Sequence, residues 1–479
     1  MKNKLKIYLV LLMVASTLAS CDKELSALPD NEKVDANVII DQATAQIALN
    51  GVYYSFANAT QANTGWQDHQ VKPGMLAGYL AYGFSVFPEE ENKNATLTSL
   101  FWDESYILLN SANGFLKGIN GLADNKFSGN RKKEMIAEAR FLRAYAHFRL
   151  LTFYGEWYKP ESPFGVLLRT ELSALGNIQK ARSTVKESYD LILSDLDDVI
   201  ANGPAANPNH YVSKWAGMAL KLRVLTNRGL STDHASVISL ADNLIQNGPY
   251  QLEPNAQDIF RKNGLASKEV ILGVKPQAAQ EMAGISKSRD YLPGGSFLFA
   301  ASPALRNLLA NDPRQTWVVG ELNSRSNRES YFFTKYITAG MAPSVVSETD
   351  YALRLTETYL LKAEAIVRSG GNLAEARTAL HEVQARAGIT ASANSAAYLA
   401  VENAQTPQAM LMEVYKETVK SLVGEDGMEW MALLRLPFET VKTLKPTIVN
   451  QTQYILPVPR TEFLYNPVFG LQNPGYTAN

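Results

Sequence analysis

Residues 352–388 carry two apolar stripes of helical period split by a four-residue breaker. Leu355, Tyr359, Ala363 and Ile366 recur at three- and four-residue steps, Ser369-Gly370-Gly371-Asn372 interrupts them, and Leu373, Ala376, Leu380 and Val383 resume. Residues at that spacing share one face of an α-helix, so the segment predicts a helical hairpin. The same signal recurs along the chain. Asp41 is a predicted N-cap, followed by Ala45, Ala48, Leu49, Val52 and Phe56. Residues 131–153 place Met135, Ala139, Leu142, Ala146 and Leu150 on one stripe. Further helical stretches are predicted near 98–121, 184–201, 212–229, 233–247, 407–422 and 427–435. Small residues such as Ala139, Ala144, Ala363 and Ala376 would let paired helices approach closely. Such pairs resemble tetratricopeptide units, but no regular 34-residue period is kept. The expected fold is mainly α, a tetratricopeptide-like superhelix of helical hairpins with irregular aromatic-rich insertions and little β-structure.

Two segments break the helical pattern. Residues 58–102 gather Gly65, Pro73, Gly74, Gly78, Gly83 and Pro88 among many aromatics, and residues 248–350 are similarly rich in glycine, proline and aromatics. Long irregular segments inside compact domains are more often functional than simple connectors. The expected organisation is one domain over 39–479. Its helical scaffold covers about 39–250 and 351–436, the two irregular segments lie on the ligand side, and a proline-rich tail closes the chain over 437–479.

The start of the chain has a different logic. Lys2, Lys4 and Lys6 precede an apolar run from Ile7 to Leu18, which leads into Leu18-Ala19-Ser20-Cys21. A basic start, a short apolar core and small residues before a cut describe a secretory signal peptide over 1–20. The run is shorter than the roughly 20 residues a membrane-spanning helix needs. Cys21 is the only cysteine and stands where a bacterial lipobox places its lipidated thiol. The chain is therefore expected to be exported, clipped and tethered through Cys21, with 21–38 as a spacer and the lipid as its only membrane anchor. With no second cysteine, the domain must be held by its core. A formal net charge of -1 over 479 residues argues against nucleic-acid binding, which needs a basic surface.

Catalytic and metal signatures are absent from the sequence. His69, His147, His210, His234 and His381 are scattered, with no pair at metal-ligand spacing. No nucleophile elbow or phosphate-cradling glycine loop is found. Glu89-Glu90-Glu91 and Asp195/Asp197/Asp198 are carboxylate clusters that fit solvated surface or helix charge better than acid–base chemistry. The expectation is a protein that is not an enzyme and uses no metal or cofactor. The residues out of place for packing are the aromatics of the irregular segments: Trp66, Tyr79, Tyr82, Phe84, Phe87 and Trp102 in the first, Tyr291, Phe297, Phe299 and Trp317 in the second. Flat rings suit the C–H face of a sugar, and polar neighbours suit its hydroxyls. The candidate ligand-binding residues are Trp66, Asp68, Tyr79, Tyr82, Trp102, Arg289 and Tyr291, with Asn63 and Asp290 as further polar candidates.

Three stretches carry a specific resemblance. Residues 137–158, AEARFLRAYAHFRLLTFYGEWY, residues 351–388, ending in RAG, and residues 454–476, YILPVPRTEFLYNPVFGLQNPGY, resemble in order the signatures of the SusD/RagB family of nutrient-capturing outer-membrane lipoproteins. The resemblance implies a non-catalytic protein that sits as a lid on a SusC-like TonB-dependent barrel and delivers an oligosaccharide or, as in the RagB-like alternative, a peptide. A surface glycoside hydrolase is the remaining alternative. In this picture Arg140, Arg143, Tyr154, Gly155, Arg354, Glu357, Glu364 and Asn473 are scaffold. The chain departs from the family pattern where Glu429 and Ala432 stand in place of an arginine and an aspartate, which implies altered local packing.

Overall fold

The computed structural model describes residues 39–97, 99–282, 284–291, 298–322, 328–338, 341–393 and 395–477. The predicted leader, Cys21, the spacer and Phe297 lie outside them. Ten helices of eleven or more residues are found among the described residues: α1 Gln42–Phe56, α2 Gln67–Ala77, α3 Trp102–Asn120, α4 Arg131–Tyr154, α5 Val185–Asn202, α6 Lys214–Arg228, α7 Asp233–Asn247, α8 Leu355–Arg368, α9 Leu373–Arg386 and α10 Pro407–Leu422. None is long and apolar enough to cross a membrane. The chain is mainly helical with little strand.

Local chemistry sets the helix ends. Asp41 accepts from the Thr44 N–H at 2.8 Å while the Thr44 hydroxyl oxygen accepts from the Asp41 N–H, a reciprocal cap that starts α1. Thr184 and Glu187 do the same for α5. Gly370 has φ +72° in the turn between α8 and α9, a conformation that a side chain disfavours.

Each long helix packs on its predecessor in the array: α1 on α3, α3 on α4, α4 on α5, α5 on α6, α6 on α7, then α7 on α8 and α8 on α9 and α10. The contact between α7 and α8 bridges more than a hundred residues of chain. The second irregular segment is thus spliced into a superhelix whose helical neighbours still meet. Buried apolar residues of α1 to α6, the strands and the tail form one cluster, and those of α6 to α10 form another.

Two small sheets fold from the insertions. Strands β1 Leu80–Tyr82, β2 Val270–Val274, β3 Phe299–Ala301, β4 Val319–Glu321, β5 Tyr331–Phe333 and β6 Asp350–Arg354 pair as an antiparallel sheet ordered β1-β3-β5-β4 and an antiparallel β2-β6 pair. The larger sheet joins the two irregular segments. In it Tyr82 faces Phe299 across the ladder.

Two expectations need correction. Part of the first irregular segment is helix α2, which buries His69, Gln70, Val71 and the whole run from Pro73 to Ala77. A helix covered on most sides has no polar face, so its period is invisible in the sequence. Residues 352–354 belong to β6 rather than to the helix that follows. There Arg354 ends a fully buried strand and reaches Glu425 (Nε–Oε2 2.5 Å) and Glu269.

The residues assigned to the scaffold are tied into the frame. Arg143 grips Asp195 at 2.8 and 2.7 Å, Glu357 receives Arg223 at 2.6 and 2.7 Å, and Glu364 receives Arg435 at 2.9 and 2.7 Å. The Asn473 amide donates to the Tyr154 and Leu456 carbonyls at 2.9 and 2.7 Å, which fastens the tail to the end of α4. The acidic cluster of α5 is spent on ion pairs, with Asp195 on Arg143, Asp197 on Lys221 and Asp198 on Arg140.

Candidate ligand-binding site

The turn after β1 presents aromatic rings at the surface. Glu90 builds it: Oε1 accepts from the Tyr82 N–H at 2.9 Å and the Phe87 N–H at 3.1 Å, so both ends of the turn hang on one carboxylate oxygen. The Arg328 guanidinium donates to the other oxygen and to the Tyr82 carbonyl, each at 2.8 Å. Lys445 donates to the Glu90 carbonyl. Gly83 continues the ladder through its N–H to the Leu298 carbonyl at 2.7 Å.

The pinned turn folds the Phe87 ring onto Tyr82, with centroids 4.1 Å apart and planes 18° from parallel. Phe84 stands edge-on to Tyr82 at 5.8 Å. Phe84 is 36% exposed and Val86 50% exposed, while Tyr82 and Phe87 are half-buried. Lys72 lies 4.7 Å from the Phe87 centroid and pairs with Glu89 at 2.6 Å. Charges around the rings are largely neutralised by each other, leaving a rigid apolar ring surface with a polar margin. Such a surface can stack a flat ligand with C–H groups on its face.

Of the sequence candidates, Tyr82 belongs to this platform. Four others are corrected by their burial. Trp66 is 1% exposed, donates its indole N–H to the Phe56 carbonyl at 2.7 Å and stacks on His69. The Tyr79 hydroxyl meets that of Tyr415 at 2.5 Å beneath β1. Trp102 packs edge-on to Tyr154 at 4.8 Å. The Tyr291 hydroxyl donates to Gln70, which itself bonds Asp350. These rings fill the joints between insertion and scaffold and show no face to a ligand. Asp68 and Arg289 are exposed, on the first turn of α2 and on the turn before Tyr291. Asn63 closes its own turn by accepting from the Thr60 hydroxyl at 2.8 Å, and burial raises the Asp290 pKa against a hydrogen bond from Gln67.

Sequence reasoning named Phe84 and Phe87 only within the aromatic set and missed Glu90 and Arg328 altogether. The signal available for Glu90 was a carboxylate within a turn of glycine and proline, where backbone N–H groups need acceptors. Among the described residues no group of three His, Cys, Asp or Glu side chains is placed to hold a metal ion.

Comparison with known proteins follows the same lines. A family model described as starch-binding, associating with the outer membrane, matches residues 22–225, and the model of the SusD family matches residues 310–442. SusD-like protein P2 of Formosa agariphila is 22% identical, covering 99% of this chain and 100% of that protein. A SusD-like protein of Bacteroides ovatus is 21% identical over 57% of this chain and only 50% of its own length. A solved structure of a laminarin-binding SusD-like protein shares the fold with a TM-score of 0.72 at 20% identity, covering 91% of this chain and 100% of that one. The two family matches cover most of the helical scaffold in the expected order, and the chain belongs to the SusD/RagB family.

Proposed function

We propose that the protein captures an oligosaccharide at the cell surface and delivers it, chemically unchanged, to a SusC-like TonB-dependent outer-membrane barrel. The observation that carries this reading is the Tyr82, Phe84 and Phe87 platform, whose rings are held at the surface while the other candidate aromatics pack inside. A pyranose ring has an apolar C–H face and a margin of hydroxyls. The platform offers ring faces for the first and the margin around Arg328 and Glu329 for the second. An aromatic stack contributes on the order of 1 kcal/mol. A shallow site of this kind gives affinities of about micromolar to millimolar, roughly -8 to -4 kcal/mol. The similarity in fold to a laminarin-binding protein supports a glycan cargo. Lipidation at Cys21 would keep the protein at the outer membrane, where a barrel partner is found.

Isothermal titration against a panel of neutral oligosaccharides and of peptides tests the cargo. Heat with at least one oligosaccharide, and no new reducing ends on long incubation, is expected. Heat with peptides alone would assign a peptide cargo. Reducing ends whose release is abolished by a single Asp or Glu substitution would make the protein a hydrolase.

A further inference from the structure

A second concave surface shares no residue with the ring platform. It is a groove of about 550 Å³ between α1, residues 210–211 and the segment 273–281, within the range of about 300–1,000 Å³ usual for small-ligand sites. Its floor is core: Tyr53 donates its hydroxyl to Glu138 at 2.6 Å and accepts from the Val212 N–H at 2.8 Å. On that floor Tyr211 stands edge-on to Tyr53 at 4.8 Å, and His210 tilts against Tyr211 at 4.5 Å. Tyr54, next in sequence to the floor residue, turns outward and is 41% exposed.

The far wall is preset. Gln280 is fully buried, and its Oε1 accepts from the Thr64 and Gln277 N–H groups at 3.0 Å each. Its amide donates to Glu348 at 3.0 Å. Ala279 beside it holds φ +61°, a conformation costly for a residue with a Cβ and kept only where the surroundings impose it. A wall formed in advance leaves less ordering to be done on binding.

The polar groups at the groove are uncommitted. The Tyr54 hydroxyl, the His210 ring, the Lys275 ammonium, the Gln277 amide and the Glu281 carboxylate make no hydrogen bond or ion pair within the described protein. At the ring platform, by contrast, Arg328 and Glu90 are tied to the backbone. Burial and the neighbouring Lys275 lower the His210 pKa, so near pH 7 its ring is neutral and offers one donor and one acceptor. One Lys against one Glu leaves the groove near neutrality, which disfavours a strongly charged ligand.

We propose that this groove is a second saccharide-binding site, holding a short stretch of a neutral pyranose chain on Tyr54, His210 and Tyr211 independently of the platform at β1. The inference rests on the reading of the protein as a glycan binder. Two sites on one polymer make the second contact intramolecular and lengthen residence on a polysaccharide beyond what either site achieves.

Affinity electrophoresis in gels of laminarin, starch, xylan or galactomannan, with titration of the matching hexasaccharides, separates the outcomes. Four variants are compared with the wild type: Tyr54→Ala/Tyr211→Ala, Lys275→Ala/Gln277→Ala, Tyr82→Ala/Phe84→Ala, and the first and third pairs combined. The Lys275/Gln277 pair leaves every ring in place and guards against misfolding. Each groove pair is expected to weaken retention on the polymer about fivefold. The platform pair should retain residual binding, which the combined variant abolishes. Groove variants that migrate as wild type, beside a platform variant that loses all retention, would remove the second site and leave the glycan reading intact. A wild type retained by none of the polymers would overturn the glycan reading and the groove with it.

Discussion

Glu429 is fully buried, with one oxygen accepting from the Gly424 N–H at 3.1 Å and the other without a protein partner. Burial pushes its pKa up to about 8. The folded protein therefore holds this proton more tightly than the unfolded chain does, and stability falls as pH rises from the ordinary glutamate range towards 8. Glu429→Gln keeps the shape and removes the charge. The variant should gain about 1–3 kcal/mol at pH 8 and almost nothing at pH 4.5, read as a difference in thermal midpoint that grows with pH. A constant difference would show that the proton is not the cause. Glu364 behaves in the opposite sense. Burial alone would raise its pKa, but Arg435 and Arg368 hold it at about 2. Its contribution is present above the unfolded value and is lost as pH falls through the acid range. Glu364→Gln leaves Arg435 buried against a neutral partner and should cost about 2–4 kcal/mol at pH 7 by denaturant titration, with the cost shrinking near pH 3. The same scale explains the misassigned rings. Trp66, Tyr79, Trp102 and Tyr291 sit in the same glycine-rich surroundings as Phe84, and only the tertiary neighbours decide which of them is covered. Tyr54 was legible in part, because it lies off the stripe of Ala45, Leu49, Val52 and Phe56.

At the scale of elements, the hairpin of α8 and α9 was readable because each helix has one polar face and the breaker is explicit. Gly370 has no heavy atom within 4 Å of where a Cβ would stand. Gly370→Ala therefore tests conformation alone, and a loss of about 1 kcal/mol is expected from its positive φ. No change in chemical-denaturation midpoint would mean the turn relaxes to another geometry. Helix α2 was unreadable for the opposite reason, since its burial on most sides erases the period and Pro73 argues against a helix. The short strands are set by partners far away in sequence, as β1 by β3 and β2 by β6, and such pairing leaves little local trace. The turn after β1 depends on Arg328, almost 250 residues downstream, so the platform could be guessed as aromatic but not assembled.

For the whole molecule, the superhelix is a frame that carries its insertions on fixed joints, and the proposed activity needs that frame at a membrane. Cys21→Ala should leave the domain folded and glycan-competent while moving it from the membrane fraction to the soluble one. A variant that stays with the membrane would place the anchor elsewhere. The central claim is that the rings after β1 hold the cargo, and titration of the best oligosaccharide ligand into wild type and Tyr82→Ala/Phe84→Ala tests it. The account predicts an affinity loss of at least about tenfold, or roughly 1.4 kcal/mol, with a thermal midpoint that stays close to wild type. An unchanged affinity in the folded double variant would contradict it.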